Sequence, residues 1–252
     1  MDALFPWIFR RKSFHLFRNI ENLEISKDEI SDVIGFFHSL TPLVPGIKTD
    51  IRTLPPSSHV DCHRGQEYCI LLYSEKKDNY LANIGWLGQQ LELYLVSKGI
   101  GTLWFGIGKP DISNFNGLDY VIMIAIRKVD DPSKFRRDMF KSKRKSLDEI
   151  WKGAPLPGVS EIVRFAPSAC NTQPWLVRRD GNILRVYRYR ERGKRGIMPK
   201  DRVSYYNRID LGIFLLFMEL CLRHEALPYR RELFVDPGDD REETLNAIYT
   251  LE

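Results

Sequence analysis

The order of its apolar segments is the feature that most constrains the fold of this chain. Short apolar runs at 68–73 and 120–126 are typical of buried strands. Longer segments with apolar residues at helical spacing cover 79–98 and follow Asn207. Each half therefore has the order helix, strand, long helix, strand. This shared order, rather than matching residues, predicts two related α+β units in one chain, with helices around mainly antiparallel sheets.

Shorter sequence patterns predict the remaining helix, loop and turn of the first half. Ser26 precedes Glu29 by three residues, which predicts a capping box before a helix that extends to Leu40. Several prolines between 41 and 66 predict a loop-rich stretch. Glycines at 99 and 101 are expected to end the long helix and form a turn.

A second capping box, Ser146 with Glu149, predicts a short helix near the middle of the chain. Prolines and glycines follow, and we place the boundary there, which gives halves of 1–153 and 154–252. The second half is predicted to contain a short helix, a polar turn, a hairpin around Asp180-Gly181-Asn182, a long helix and a last strand. Their ranges are 159–165, 166–174, 175–179 with 183–189, the segment after Asn207, and 229–235.

Composition limits the class of protein. The chain has 252 residues, and 43% apolar content supports a folded core and excludes a disordered tail protein. The longest apolar run, 213–218, is far shorter than the roughly 20 residues that span a bilayer. No signal-peptide pattern is visible at the start, and four scattered cysteines fit a reducing cytoplasm. The formal charge of +5 suits an anionic small ligand as well as it suits nucleic acid.

The segment 164–175, RFAPSACNTQPW, is the densest group of hydrogen-bonding side chains at a predicted turn. Pro167 restricts the backbone, while Ser168, Asn171 and Gln173 supply donors and acceptors that could edge a planar heteroaromatic ring. An ordinary helix-to-strand loop uses the same residue types. From this chemistry alone, the ordinary loop is the favoured interpretation.

Residues 166–175 resemble the APSxxNxQPW signature of the nitroreductase superfamily of FMN-dependent oxidoreductases. Three further segments resemble motifs of that family. Residues 11–17 resemble its N-terminal RRSxRxF motif, residues 83–104 its central helix and GLGTxW turn, and residues 143–150 its RxRKPLEEI ending.

The resemblance implies which residues would bind FMN. The phosphate would be held by basic and hydroxyl side chains: Arg11, Lys12, Ser13, His15, Lys143 and Arg144. The flavin ring would be framed by Gly101, Thr102, Pro167, Ser168, Asn171 and Gln173. His15 stands where the family has Arg, so its charge would depend on pH. Taken alone, the basic segment 10–18 would be a solvated arm, and Thr102 could equally be a core residue.

The order of the motifs differs from that of an ordinary family member. The APSxxNxQPW loop comes only after a complete first half, and proline-rich sequence stands at its usual place, 41–58. In the family, FMN usually lies in a homodimer interface. The chain therefore resembles two fused protomers, an internal pseudo-dimer from the tandem, single-chain branch with one FMN. We expect a monomer or a weak homodimer.

The resemblance implies an FMN-dependent oxidoreductase that moves a hydride from NAD(P)H through the flavin to a small acceptor such as a nitroaromatic or a quinone. No catalytic side chain is assigned, because the cofactor carries the chemistry. The alternative is a degenerate flavin-binding or sensor protein without efficient turnover. No metal site is predicted, since Cys62, His63 and Cys69 lack a fourth ligand, and Cys170 is expected to be a free thiol.

The stretch 178–208 is rich in arginine and tyrosine. Such a pattern can bind nucleic acid, can attract the phosphates of NAD(P)H, or can be a solvated hairpin and loop. We favour the solvated hairpin, and we expect neither a nucleic-acid partner nor a membrane partner.

Overall fold

The computed structural model of the chain describes residues 1–20, 23–56, 60–129, 131–190 and 195–252. Two compact units, each built on its own five-stranded sheet, account for these residues. The first unit is Pro6–Tyr80 with Leu87–Met139, and the second unit is Met1–Phe5, Leu81–Trp86 and Phe140–Glu252. The division into 1–153 and 154–252 stays a prediction, as does the relation of two halves as a pseudo-dimer.

The sheet of the first unit is antiparallel throughout. Its strands are β1 (Thr49–Leu54), β2 (Tyr68–Ser74), β3 (Ile100–Phe105), β4 (Asn114–Phe115) and β5 (Leu118–Lys128). The order is β1-β2-β5-β3, with β4 paired to β5. The apolar runs at 68–73 and 120–126 become the neighbouring central strands β2 and β5, as predicted. Their buried side chains, among them Leu71 and Met123, belong to the core of this unit.

The helices α1 (Phe5–Arg10), α2 (Lys27–His38) and α3 (Tyr80–Ser97) precede or separate these strands. The predicted capping box is confirmed, since Ser26 Oγ accepts from Glu29 N and Glu29 Oε2 accepts from Ser26 N. The predicted helix over 79–98 is also confirmed, and Gly99 follows it with φ of +71°. Within α3, Leu81–Trp86 belongs to the second unit.

Two local features of the first unit differ from the sequence prediction. The described part of 41–66 is mostly loop, as predicted, but it also contains the whole of β1, which was not predicted and which pairs with β2. Only Ile51 of this strand is buried, because β1 is an edge strand, and a single inward apolar residue gives little periodicity. Gly101 was expected in a turn, but it lies inside β3.

The sheet of the second unit has the order β6-β7-β8-β10-β9. Its strands are β6 (Trp151–Lys152), β7 (Trp175–Asp180), β8 (Ile183–Tyr189), β9 (Tyr229–Leu233) and β10 (Glu243–Leu251). All pairs are antiparallel except β6 with β7. The β7–β8 hairpin confirms the predicted one, and Gly181 in its turn has φ of +58°. The two sheets confirm an α+β chain with mainly antiparallel strands.

The helices of the second unit are α4 (Leu147–Ile150), α5 (Ser160–Val163) and α6 (Val203–His224). The capping box of Ser146 and Glu149 is confirmed at the start of α4. The predicted start of the long helix after Asn207 was wrong, because α6 begins at Val203, and Val203 and Tyr206 of its first turn are already buried three residues apart. Short 3₁₀ turns cover Asp2–Leu4, Pro132–Lys134, Met139–Lys141, Ala169–Asn171 and Lys200–Arg202. Within the described residues, no helix combines the length and the apolar character needed to cross a membrane.

Candidate functional site

The loop before β7 has an unusual backbone. Cys170, Asn171 and Gln173 have φ angles of 50°, 56° and 50°. This left-handed region is uncommon for residues other than glycine, and Asn adopts it most readily. Such conformations persist only where the surroundings hold them in place, and they are often found at ligand sites. Contacts with the surrounding residues must therefore hold this loop in its conformation.

Hydrogen bonds from its own polar side chains fix this shape. Ser168 Oγ accepts from Gln173 N at 2.9 Å. Gln173 is 3% exposed, its Oε1 accepts from Lys145 N at 2.8 Å, and its Nε2 donates to Asn171 O at 3.2 Å. The side chains that were predicted to frame a flavin thus form the hydrogen bonds that stabilise the loop itself.

The segment before α4 is joined to the same loop. Arg144 Nη1 donates to Asn171 Oδ1 at 2.8 Å, and Asn171 Nδ2 donates to Lys143 O at 3.2 Å. Arg144 Nη2 also reaches Phe165 O at 3.3 Å. The structure therefore brings Lys143 and Arg144 together with the loop residues, although the two segments lie more than twenty residues apart in the sequence.

A buried acid of α6 accepts a hydrogen bond from the backbone of this loop. Asp210 Oδ1 accepts from Ala169 N at 2.9 Å, and its Oδ2 has no hydrogen-bond partner among the described residues. Burial raises the pKa of Asp210 to about 8, while the bond from Ala169 opposes that shift. Pro167 is buried, and Trp175 stacks on Phe214 with 4.8 Å between ring centroids. Sequence reasoning assigned no functional role to Asp210, although an acid within an apolar helix was an available signal.

In the first unit, the segment after α1 runs beside β3. Phe14 N donates to Thr102 O at 2.9 Å, and Ser13 forms a parallel bridge with Thr102. A Cβ on Gly101 would lie 2.9 Å from Val129 and 3.0 Å from Phe14, so this glycine allows close packing by the chain itself. The structure thus brings Ser13, Gly101 and Thr102 together.

Arg11 is buried beside Ser13, where it forms a bidentate pair with Glu92. Arg11 Nε and Nη2 lie 3.1 and 3.0 Å from the two carboxylate oxygens, and the side chains are 3% and 0% exposed. Glu92 also accepts from Thr102 Oγ1 at 2.9 Å and from Trp104 Nε1 at 3.3 Å, while Arg11 Nη2 donates to Ser13 Oγ at 3.0 Å. Sequence reasoning missed Glu92, although a carboxylate within an apolar helix was a visible signal.

The remaining residues predicted for the phosphate lie on the surface of this unit. Lys12 Nζ donates to Lys134 O at 2.9 Å and lies 5.1 Å from the centroid of the Phe14 ring. His15 is exposed.

Arg136 was not among the predicted ligands, although it lies beside them. Arg136 N donates to Arg10 O at 3.0 Å, and the side chain is half-buried. Burial and the charge of Arg11 lower the pKa of Arg136, whereas the charge of Glu92 opposes that shift. Among the described residues, none accepts a hydrogen bond from its guanidinium.

The predicted FMN ligands therefore fall into two groups, one in each unit. The group of the first unit contains Arg11, Lys12, Ser13, His15, Gly101 and Thr102. The group of the second unit contains Lys143, Arg144, Pro167, Ser168, Asn171 and Gln173.

The basic stretch 178–208 holds several arginines that are already paired. Arg188 is 0% exposed and forms a bidentate pair with Asp236, at 2.6 and 3.0 Å. Arg178 pairs with Glu243 at 2.6 Å. Arg192 and Lys194 lie outside the described residues, as do residues 57–59 of the proline-rich stretch. In the described ranges, no group of three or more His, Cys, Asp or Glu residues could hold a metal ion.

Comparison with known proteins identifies the family. A family model described as "Putative TM nitroreductase" matches residues 3–222. The crystal structure of a putative nitroreductase from Thermotoga maritima is 20% identical, with a TM-score of 0.61 and coverage of 98% of this chain and 92% of that chain. A putative NADH dehydrogenase/NAD(P)H nitroreductase from Parabacteroides distasonis is 12% identical over 61% of this chain and 99% of its own. Its TM-score of 0.44 is too low to support an argument. No curated protein matches the chain.

The family model covers both segments that carry the two groups of candidate residues. The match to the Thermotoga maritima structure extends over nearly the whole chain and supports the same fold. This chain belongs to the nitroreductase superfamily, in the family that the matching model describes.

Proposed function

We propose that the chain is an FMN-dependent oxidoreductase of the nitroreductase type. It would transfer a hydride from NAD(P)H through the flavin to a small acceptor such as a nitroaromatic or a quinone. The observation that carries the proposal is the loop before β7, in which residues of the family signature hold left-handed conformations in a fixed network. Family membership supplies the chemistry that such a loop would serve.

The donors that the structure leaves available fit FMN. Ser168 Oγ accepts from Gln173 N, and its own proton has no acceptor among the described residues. Lys143 is exposed, and no partner for its ammonium group is found in the described ranges. A flavin ring offers carbonyl and nitrogen acceptors to a hydroxyl donor, and its phosphate offers a dianion to a cation.

Each group of residues has a defined role in this proposal. Bound FMN supplies the hydride chemistry. The loop residues Ser168, Asn171 and Gln173 orient the ring with fixed amide and hydroxyl groups, while Asp210 holds the backbone of Ala169. Lys143 and Arg144, which lie beside this loop, would balance the phosphate charge. We assign no side chain as an acid or base in the reaction.

The proposal extends to partners and compartment. The partner would be a small-molecule electron acceptor, with the chain acting as a monomer or a weak homodimer. All four cysteines are free thiols, which suits a reducing cytoplasm.

The test is a visible spectrum of the freshly purified protein, followed by anaerobic addition of NAD(P)H. We expect flavin absorbance that bleaches on addition and returns when a quinone or a nitroaromatic is supplied. Asn171→Ala should weaken FMN binding by about tenfold or more, because it removes a fixing amide from the loop. Asn116→Ala is the matched control, since Asn116 is also left-handed, with φ of 52°, but lies in a different turn. A protein that stays colourless after FMN is added would contradict the proposal.

A second candidate function rests on the Arg11–Glu92 pair. Because Glu92 neutralises Arg11, a phosphate would gain less from this arginine than the family motif implies. The chain would then be a degenerate flavin-binding or sensor protein without efficient turnover. Stoichiometric flavin without NAD(P)H oxidation, whichever acceptor is offered, would favour this function.

A further inference from the structure

The first unit contains a charge cluster of two arginines and one carboxylate. Arg11 is 2% exposed, and its pair with Glu92 uses both oxygens of that carboxylate. Arg136 is within electrostatic reach of both Arg11 and Glu92. The cluster therefore has one positive charge in excess.

Hydrogen bonds to backbone carbonyls hold the segment of Arg136 against the segment of Arg11. Arg136 N donates to Arg10 O at 3.0 Å, and Arg10 Nη2 donates to Pro132 O at 2.9 Å. Lys12 Nζ reaches Lys134 O at 2.9 Å. Three bonds thus tie the segment that carries Arg11 to the segment that carries Arg136.

This arrangement is unfavourable for the protein by itself. A half-buried guanidinium is partly removed from water, and here the positive charge of Arg11 also acts on it. The only carboxylate identified in the cluster, Glu92, is already bonded to Arg11, Thr102 and Trp104. Among the described residues, no acid forms an ion pair with Arg136. An anion placed against Arg136 would relieve both the lost hydration and the repulsion.

We propose that Arg136, rather than the motif residue Arg11, is the principal ligand of an anion site on the first unit that binds a phosphate monoester. Glu92 positions Arg11 and cancels its charge, so that Arg11 shapes the site through its bond to Ser13 while Arg136 binds the ligand. A phosphate dianion suits the site, because a guanidinium binds two oxygens side by side and the ammonium of Lys12 can balance the second charge. The identity of the ligand rests on the proposed function, which offers two such groups: the phosphate of FMN and the 2′-phosphate of NADPH.

The first experiment uses inorganic phosphate and is independent of flavin. The thermal midpoint of the full chain is measured with and without 50 mM phosphate, against sodium chloride of equal ionic strength. We expect phosphate to raise the midpoint of the wild type and of Arg137→Gln, and to leave that of Arg136→Gln unchanged. Arg137 is the matched control, because it is the next residue, has the same charge and is exposed.

In the absence of phosphate, Arg136→Gln should be at least as stable as the wild type, because it removes an uncompensated charge that the charge of Arg11 disfavours. A merely structural arginine would instead lose stability on substitution. Equal responses of Arg136→Gln and Arg137→Gln to phosphate would overturn the proposal.

The second experiment identifies the source of the phosphate. The ratio of FMN affinity to riboflavin affinity and the ratio of the KM for NADH to the KM for NADPH are measured for the same variants. Loss of about tenfold or more in the first ratio for Arg136→Gln assigns the site to FMN, and loss in the second ratio assigns it to NADPH. If neither ratio changes while flavin still binds, the inference fails and the proposed function stands. If no flavin binds, the proposed function fails, and the phosphate response alone decides the inference.

Discussion

At the scale of single residues, Asp210 makes stability depend on pH. Its folded-state pKa of about 8 lies above the ordinary value of 3.8, so the folded protein holds this proton more tightly than the unfolded chain does. The resulting stabilisation is complete below the unfolded pKa and is lost as the pH rises through the folded pKa. Asp210→Asn keeps an oxygen for the bond from Ala169 N and has no charge to lose.

We expect the difference in the free energy of unfolding between Asp210→Asn and the wild type to widen as the pH rises. The free energy of unfolding of Asp210→Asn, relative to the wild type, should increase by about 1.4 kcal/mol per pH unit between pH 5 and pH 7. Urea titrations at three pH values measure it. Asp148→Asn is the control, because the hydrogen bond from Ser146 lowers the pKa of Asp148, and that carboxylate is ionised throughout this range. Parallel curves for Asp210→Asn and the wild type would contradict the assignment.

Glu92 is a second residue whose effect follows from burial. Glu92→Gln would leave the buried Arg11 without a bidentate partner, which should lower the free energy of unfolding by about 3–5 kcal/mol. Glu161→Gln breaks another arginine–glutamate pair, with Arg164 at 3.2 Å, but Glu161 is 56% exposed. That control should lose less than about 1 kcal/mol. Equal losses in urea unfolding would mean that burial does not govern the strength of these pairs.

At the scale of elements, two glycines allow α3 and α6 to touch. A Cβ on Gly85 would lie 2.0 Å from Ile209 O, and a Cβ on Gly212 would lie 1.9 Å from Ala82 O. Because both obstacles are backbone atoms, neither can move without separating the helices. Gly85→Ala and Gly212→Ala should each lower the free energy of unfolding by more than about 2 kcal/mol.

The matched control for these variants is Gly35→Ala, in the exposed part of α2. A Cβ there meets nothing within 4 Å, and alanine favours a helix over glycine by about 0.5–1 kcal/mol. Gly35→Ala should therefore stabilise the protein slightly, as measured by chemical unfolding. A stable Gly212→Ala protein would show that the close helix contact is not required.

Secondary structure was predicted best where a local sequence pattern alone determines it. The capping boxes at Ser26 and Ser146 and the Gly181 hairpin turn are decided by neighbouring residues, so they were predictable. Strands β1 and β10 were not predicted, because hydrogen bonds to distant strands create them. β10 also has a register shift between Leu245 and Ala247, which interrupts its alternation.

At the scale of the whole molecule, family motifs located the candidate residues but not their partners. The loop residues Ser168, Asn171 and Gln173 were predictable because they form one short segment. Glu92, Asp210 and Arg136 were missed, since each gains its role from a contact with a residue more than forty positions away. Motif positions therefore indicate where a ligand would bind, while tertiary contacts decide which charges remain for it.

The last prediction concerns how the ligand acts on the whole chain. A ligand that binds only the folded state raises the free energy of unfolding by about 2.7 kcal/mol at one hundred times its Kd. If the loop before β7 binds FMN, the thermal midpoint should rise steadily with FMN concentration. Riboflavin, which has the same ring without the phosphate, should give a smaller rise at equal concentration. Adenosine monophosphate, which has the phosphate without the flavin ring, should give a rise no larger than that of inorganic phosphate. A midpoint that responds equally to all three ligands would indicate general anion or aromatic binding, because only a site that contacts both ring and phosphate ranks FMN first.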